Sequence, residues 1–252
     1  MTNADFAGRV ALVTGAASGI GRATALHLAA RGADLALVDL DAGRGAALAA
    51  MIEETGRKTL FLHADVSDPT AVASAVDRVV DHFGRLDHAF NNAGIEGPRR
   101  VPVGELSDET WQRIIAVNLN AVFFCMKHEL RVMSASGGTI VNNSSVAGLQ
   151  AAINAGAAYA ASKHGVIGLT RTAAKEYAGM GIRVNAVCPG GTDTPLLERM
   201  IGRESMTVSG SSSPAGRIAL PQEIAETVAW LLGPSSSFVN GQALVVDGAS
   251  SV

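Results

Sequence analysis

Short apolar runs alternate with longer stretches of helical periodicity from one end of the chain to the other. The runs Val10–Val13, Leu35–Val38, Thr59–His63, Leu86–Phe90, Thr139–Asn142, Ile182–Val187 and Ala243–Val246 read as strands. Most are apolar at successive positions rather than at every second one, the pattern of a strand covered on both faces. Helical periodicity fills the intervals over Gly19–Ala30, Ala42–Thr55, Thr70–Phe83, Asp108–Ser134, Ala157–Ala178 and Pro221–Leu232. The last opens on Pro221 with Glu223 behind it, a good helix start. This β-α-β rhythm predicts an α/β fold, a doubly wound (Rossmann-type) parallel sheet with helices on both faces. No linker interrupts it, so residues 1–252 are expected to form one domain. The low-complexity stretch Ser205–Ser213 reads as a mobile loop, part of a substrate lid over residues 195–213.

Composition narrows the function classes. The chain has 252 residues, 48% hydrophobic and 17% charged, which fits a packed core and not a disordered segment. A net charge of −3 and the lack of a Lys/Arg-rich run argue against a nucleic-acid partner. No apolar run approaches the ~20 residues of a membrane span. Met1–Gly8 has neither the basic start nor the apolar stretch of a signal peptide. Cys125 and Cys188 form no C-x-x-C pair and read as reduced thiols, so a cytoplasmic location is expected. His128-Glu129 lacks a second histidine four residues after the first, where Val132 stands, and no catalytic metal is expected.

The first strand runs into Thr14-Gly15-Ala16-Ala17-Ser18-Gly19-Ile20-Gly21, and a helix follows. Glycines at this junction permit a sharp turn and let the backbone touch a pyrophosphate that faces the free N–H groups of the helix start. The spacing is G-x-x-x-G-x-G, and the strand before and helix after it are what point to dinucleotide binding. Asp39 ends the second strand eighteen residues past Gly21. A carboxylate there can accept hydrogen bonds from the adenosine ribose and repel a 2′-phosphate, which favours NAD. Neither Leu40-Asp41 nor the residues before Gly19 supply a cation to offset that repulsion. The competing reading of Asp39 is a strand-end turn or cap residue.

Tyr159 and Lys163 lie four residues apart in Tyr159-Ala160-Ala161-Ser162-Lys163. On a helix that spacing stacks them one turn apart, about 6 Å along the axis. A nearby ammonium stabilises a phenolate, which makes tyrosine a usable acid/base. The pair follows the glycine turn, Asn91-Asn92-Ala93-Gly94 and Asn142-Asn143-Ser144-Ser145 in order. Together these motifs, spread from Gly8 to Gly248, resemble those of the short-chain dehydrogenase/reductase family.

The resemblance implies a seven-stranded sheet binding NAD(H) or NADP(H), with Tyr159 moving a hydroxyl proton. It implies that Lys163 lowers the tyrosine pKa and holds the nicotinamide ribose, and that a serine orients the carbonyl. Ser145, opening Ser145-Val146-Ala147-Gly148, matches that serine better than Ser144, although it precedes Tyr159 by one residue more than is commonest. Asn118 rather than Asn120 matches the asparagine that holds a relay water. By the same resemblance, Asp65-Val66 meets the adenine, and Asn92, Ala93 and Gly94 pass the adenosine ribose. Pro189, Gly190, Thr192 and Thr194 grip the carboxamide, Thr192 replacing the usual aliphatic residue. Family members of this type form homotetramers, so the same is expected here.

The segments 95–103, 146–158 and 195–213 are expected to line the substrate pocket, with Leu149, Ile153, Leu196, Leu197, Met200, Met206 and Val208 as apolar candidates and Gln150 and Asn154 as polar ones. That mixture suits a neutral, moderately apolar secondary alcohol or ketone, although the same side chains could pack the lid. Arg99-Arg100 reads as a solvated loop pair. Rival readings are an NADP-dependent carbonyl or acyl-thioester reductase, a sugar-nucleotide epimerase, and a nucleotide sensor without enzyme activity.

Overall fold

β1 (Val10–Thr14) has all five residues buried because successive side chains leave a strand on opposite sides and both sides are covered. Val10 and Leu12 join a core with α3 (Pro69–Phe83), α5 (Ala121–Met133) and α6 (Ala157–Tyr177). Ala11 and Val13 join a second core with α1 (Gly19–Ala30), α2 (Ala42–Glu53) and α9 (Pro221–Leu232). These statements rest on a computed structural model that describes residues 5–211 and 213–252. Residues 1–4 of the Met1–Gly8 stretch and residue 212 of Ser205–Ser213 lie outside the described residues.

β2 (Asp34–Asp39), β3 (Thr59–His63), β4 (His88–Asn91), β5 (Gly138–Asn143), β6 (Ile182–Pro189) and β7 (Ala243–Val246) complete one sheet. Its order is β3-β2-β1-β4-β5-β6-β7 and every pairing is parallel. This is the doubly wound, Rossmann-type arrangement that the sequence pattern predicts. The chain leaves β1 toward β2 and β3, then returns on the other side as β4. The crevice beyond the carboxyl ends of β1 and β4 is therefore the place where such sheets bind ligands. Register brings the motifs there: Thr14 pairs with Val38, Val13 with Phe90, and Asn91 with Asn142.

Two elements differ from the sequence reading. The helix expected over Asp108–Ser134 is α4 (Asp108–Ile115) and α5, joined by a π-helical turn over Ala116–Asn120. One wide turn leaves the apolar periodicity on either side intact, so the pattern reads as continuous. The loop expected over Ser205–Ser213 is largely helix: α7 (Pro195–Ile201) and α8 (Arg203–Ser211) cover most of the lid stretch. Thr194 caps α7 by accepting from the Leu197 N–H at 3.2 Å. Arg203 links Asp193 and Glu198 at 2.9 and 2.7 Å, while Met206 is buried beneath. Small polar residues of low helix propensity hide α8, and these tertiary contacts outweigh that propensity.

Among the described residues, no helix is long and apolar enough to cross a membrane. No group of three or more His, Cys, Asp or Glu among them could hold a metal ion.

Candidate active site

Gly15 and Gly21 shape the turn after β1. Gly15 has φ 61°, a conformation that other residues rarely adopt, and a Cβ on Gly21 would lie 2.1 Å from the Gly15 carbonyl oxygen. Ser18 precedes α1 without a side-chain cap, so its hydroxyl makes no claim on the N–H groups of the first turn. The segment that follows β4 fastens the turn: Thr14 Oγ1 accepts from the N–H groups of Asn92 and Ala93 at 2.9 and 3.1 Å. Asn92 Nδ2 donates in return to the carbonyls of Thr14 and Gly15 at 3.0 and 3.2 Å. Asp39 holds the other side, accepting from the Ala17 N–H at 2.8 Å and the Asp41 N–H at 2.9 Å. The turn-residue and ribose readings of Asp39 are thus compatible, since each oxygen keeps a further lone pair.

Beyond this turn lies a cleft of about 390 Å³. It gathers Gly15, Ser18, Gly19, Ile20, Asp39, Leu40, Asp65, Val66, Asn92, Ala93, Gly94, Tyr159, Lys163 and Thr194, all candidates from sequence. Gly21, Asn118, Ser145, Pro189, Gly190 and Thr192 are not on its wall. Gly190 packs against Asp247, and buried Thr192 bridges to Ala219. Val38, Ala64, Ile95, Val117, Asn143, Pro195, Leu196 and Arg199 complete the wall. Most of these adjoin a motif in sequence, Val117 standing next to Asn118, while Arg199 falls within the expected 195–213 segment.

Lys163 is 4% exposed, and its Nζ donates to the Asn143 carbonyl at 2.8 Å and lies 5.5 Å from the centre of the Tyr159 ring. Burial lowers its ammonium to about 8. Burial likewise pushes the Tyr159 phenol above its usual range; a hydrogen bond with Ser145 pulls it down and the charge of Glu96 pushes it up. The expected lowering of the tyrosine by lysine is therefore not the balance found in the protein itself: desolvation dominates. Glu96 in turn faces Arg199 of α7, itself on the cleft wall, at 3.8 Å, a loose ion pair.

The two serines have different surroundings. Ser145 is extended, accepts from the Ala147 N–H at 3.1 Å and meets the Tyr159 phenol. Ser144 is buried, and its hydroxyl donates to the Lys163 carbonyl at 2.9 Å, tying β5 to α6. Asn118 is fully buried within the π-helical turn. Its Oδ1 accepts from the Ile95 N–H at 2.8 Å and its Nδ2 donates to the Ile95 carbonyl at 2.9 Å. A Cβ on Gly94 would sit 3.3 Å from Asn118 Oδ1 and 3.8 Å from Lys163 Nζ, so the three meet at one point.

The remaining candidates divide. Leu196 lines the cleft, whereas Ile153 and Val208 are 79% and 64% exposed. Arg99 and Arg100 are more than a solvated pair: their Nε atoms donate to the carbonyl and side-chain oxygen of Asn154 at 3.1 and 2.9 Å, clasping two loops of the expected pocket together.

A crevice with a glycine turn at one end and a Tyr–Lys pair at the other defines a nicotinamide-dependent oxidoreductase. Residues 15–250 match the family described as enoyl-(acyl carrier protein) reductase. The chain is 46% identical over 244 residues to a cis-4-hydroxycyclohexanecarboxylate dehydrogenase of Sinomonas cyclohexanicum, covering 96% of each chain. It is 44% identical over 245 residues to a cyclohexanol dehydrogenase of an Acinetobacter species, covering 97% of this chain and 95% of the other. The solved structure of carveol dehydrogenase from Mycobacterium avium in complex with NAD superposes with a TM-score of 0.92 at 32% identity, covering 97% and 98%. The chain belongs to the short-chain dehydrogenase/reductase family.

Proposed function

We propose that the protein is an NAD(H)-dependent oxidoreductase that interconverts alicyclic secondary alcohols and ketones, with Tyr159 as general acid/base. The observation that carries this reading is Tyr159 on the wall of the cleft, one helical turn from buried Lys163, whose Nζ lies 5.5 Å from the centre of its ring. When bound, the nicotinamide supplies the two-electron chemistry, taking or giving a hydride at the carbinol carbon. In the oxidising direction Tyr159 takes the hydroxyl proton while the C=O bond forms, and Ser145 donates to that oxygen and orients it. Lys163, held near 8, exchanges protons close to neutral pH and restores Tyr159, with the proton path running past Asn118. Asp39 and the turn from Gly15 to Gly21 would hold the adenosine and pyrophosphate, and Asp39 supports NAD over NADP.

The apolar wall of Ile95, Val117 and Leu196 suits a ring carbon skeleton, and relatives at 46% and 44% identity are named for cyclohexane-ring alcohols. Helices α7 and α8 serve as the lid. The same reading has the chain work in the cytoplasm as a homotetramer, to which exposed Trp111 and Phe123 of α4 and α5 offer apolar contacts.

The test is reduction of NAD+ in the presence of cyclohexanols, hydroxysteroids and open-chain alcohols, followed by nicotinamide absorbance. Turnover with ring alcohols is expected, and Tyr159→Phe should abolish it by several orders of magnitude while NAD still binds. Turnover of Tyr159→Phe above about one per cent of wild type would remove Tyr159 from the chemistry.

A further inference from the structure

Glu129, on α5, is a buried carboxyl group for which the proposed reaction has no use. It has no exposed surface. Its Oε2 accepts from Asn91 Nδ2 at 3.0 Å, and the same amide nitrogen donates to Asn142 Oδ1 at 3.0 Å. Asn142 is the partner of Asn91 in the β4–β5 ladder. Its own amide donates to Thr170 Oγ1 at 2.9 Å and toward Met126 Sδ at 3.2 Å. The Thr170 hydroxyl donates onward to the Val166 carbonyl at 2.8 Å. Every side-chain hydrogen in this chain of contacts is therefore in use.

Two acceptors are left over. Glu129 Oε1 and Asn91 Oδ1 are both buried without a donor, and they belong to the two groups that already share one hydrogen bond. A carboxylic acid and a primary amide can form a closed ring of two hydrogen bonds, one in each direction. One proton on Oε1 would satisfy both orphaned oxygens, whereas an ionised carboxylate would leave both bare at a large desolvation cost.

We propose that Glu129 is a neutral carboxylic acid whose Oε1–H donates to Asn91 Oδ1, and that this acid–amide ring positions the catalytic edge of β4 and β5. Asn92 and Asn143 follow immediately on the same strands. Asn143 Nδ2 donates to Asn92 Oδ1 at 2.9 Å, Asn92 grips the glycine turn, and the Asn143 carbonyl receives Lys163 Nζ. The lower pair of asparagines, locked by Glu129, is thus the footing of the upper pair. This positioning role rests on the function proposed above.

The surroundings agree. A space of about 10 Å³ beside Glu129 is lined by apolar side chains of β1, β2 and α3, by Thr14 and by Cys125. Cys125 is the one other titratable group lining it among the described residues, and burial pushes its thiol up. The side chains that join the network from β4, β5 and α6, Asn91, Asn142 and Thr170, are all neutral. Burial accordingly raises the Glu129 carboxyl to about 7, against the pull of Asn91. Val38, Ala64 and Val66 line both this space and the cofactor cleft, so disorder here would reach the cleft wall.

The decisive variants are Glu129→Gln and Glu129→Leu. Glutamine can keep both hydrogen bonds of the ring without a titrating proton; leucine keeps neither. A carboxyl raised in the fold gives its full stabilisation below its ordinary value of 4.5 and loses it as pH rises through about 7. Melting curves of wild type and Glu129→Gln should therefore run together below pH 4.5, separate between 4.5 and about 7, and stay apart by a constant amount above it, with the glutamine variant the more stable. Infrared spectra of the wild type should show the carbonyl stretch of a protonated acid at slightly acid pH, absent in Glu129→Gln. With ring alcohols, Glu129→Gln should keep kcat/KM within about twofold at neutral pH, and Glu129→Leu should raise KM for NAD about tenfold. A missing acid band, or a glutamine variant less stable than wild type by the same amount at every pH, would overturn the proposal. Spectra and melting curves need no turnover, so an error in the assigned reaction would leave them standing, and failure of the acid–amide ring would leave wild-type kinetics untouched.

Discussion

Replacing Asp39 with Asn tests cofactor choice with little change of shape. In the fold, the Asp39 carboxylate already accepts from the N–H groups of Ala17 and Asp41, and an asparagine oxygen can keep one of those bonds. What is lost is charge. A hydrogen bond to a charged acceptor contributes about 1.5–3 kcal/mol against roughly 1 for a neutral one, so weakened ribose contacts should lower kcat/KM for NAD about tenfold, or ~1.4 kcal/mol. For NADP the effect has the opposite sign. Two unit charges ~5 Å apart at an effective dielectric of about 20 repel by ~3 kcal/mol, and a 2′-phosphate carries more than one. Folding also brings Arg22 and Arg44 to a shallow depression beside Ser18. Arg44 is paired with Asp41 at 2.8 Å, so it offsets only part of the repulsion. Wild type should prefer NAD by at least about a hundredfold (~2.7 kcal/mol), and Asp39→Asn should erase most of that ratio. Adding Leu40→Arg to Asp39→Ser should carry the preference over to NADP, with a lower melting temperature because Ala17 loses its anchor. Steady-state kinetics with both cofactors decide the matter. A wild-type enzyme indifferent to the 2′-phosphate, or an Asp39→Asn ratio within about threefold of wild type, would refute the ribose assignment.

The two serines should separate by readout. Ser145→Ala should lower kcat strongly with little change in melting temperature, whereas Ser144→Ala should cost about 1 kcal/mol of stability by freeing the Lys163 carbonyl, with a milder effect on kcat; the reverse order would make Ser144 the orienting group. His88 should impose an acid limit on stability. Thr139 Oγ1 donates to the Leu232 carbonyl, so its 2.7 Å contact with His88 requires an Nδ1–H, and burial holds the ring at about 4 against an ordinary 6.5. A base lowered in the fold gives its full stabilisation above 6.5 and loses it as pH falls toward 4, on the order of 3 kcal/mol by the lower value. Denaturant titrations of His88→Asn should show a shallower loss than wild type across that window; parallel curves would show that His88 does not titrate on unfolding.

Strand burial was legible in the sequence because both faces of the sheet are covered, and β3 (Thr59–His63) and α9 (Pro221–Leu232) match their expected bounds. The glycine turn, Asp39, Asp65-Val66 and Asn92–Gly94 could be placed together from sequence because each lies at a strand end, where parallel register brings it to the crevice; Pro189, Gly190 and Thr192 lie at a strand end too but stand off the wall. What escaped depends on contacts between distant segments. The π-helical turn leaves no mark in periodicity. Helix α8 relies on Arg203 reaching Asp193 and Glu198, and the grip of Arg99 and Arg100 on Asn154 spans two loops. Glu129 looks like any surface glutamate in sequence; only its place opposite Asn91 makes it unusual.

The wide turn at Ala116–Asn120 sets a limit on how this protein can be made sturdier. An ordinary α-helical turn there would be the better helix, and removing one residue from the segment would create it. Each residue of a helix advances about 100° around the axis, so such a shortening would rotate α4 relative to α5 by that angle. The Asn118 amide would then leave Ile95, and that residue of the cleft wall, beside Gly94 and Lys163, would lose its anchor. Consensus or design methods that regularise helices would score that deletion as an improvement. Here the irregularity is the part to protect, and stabilising changes belong on the outer faces of α4 and α5.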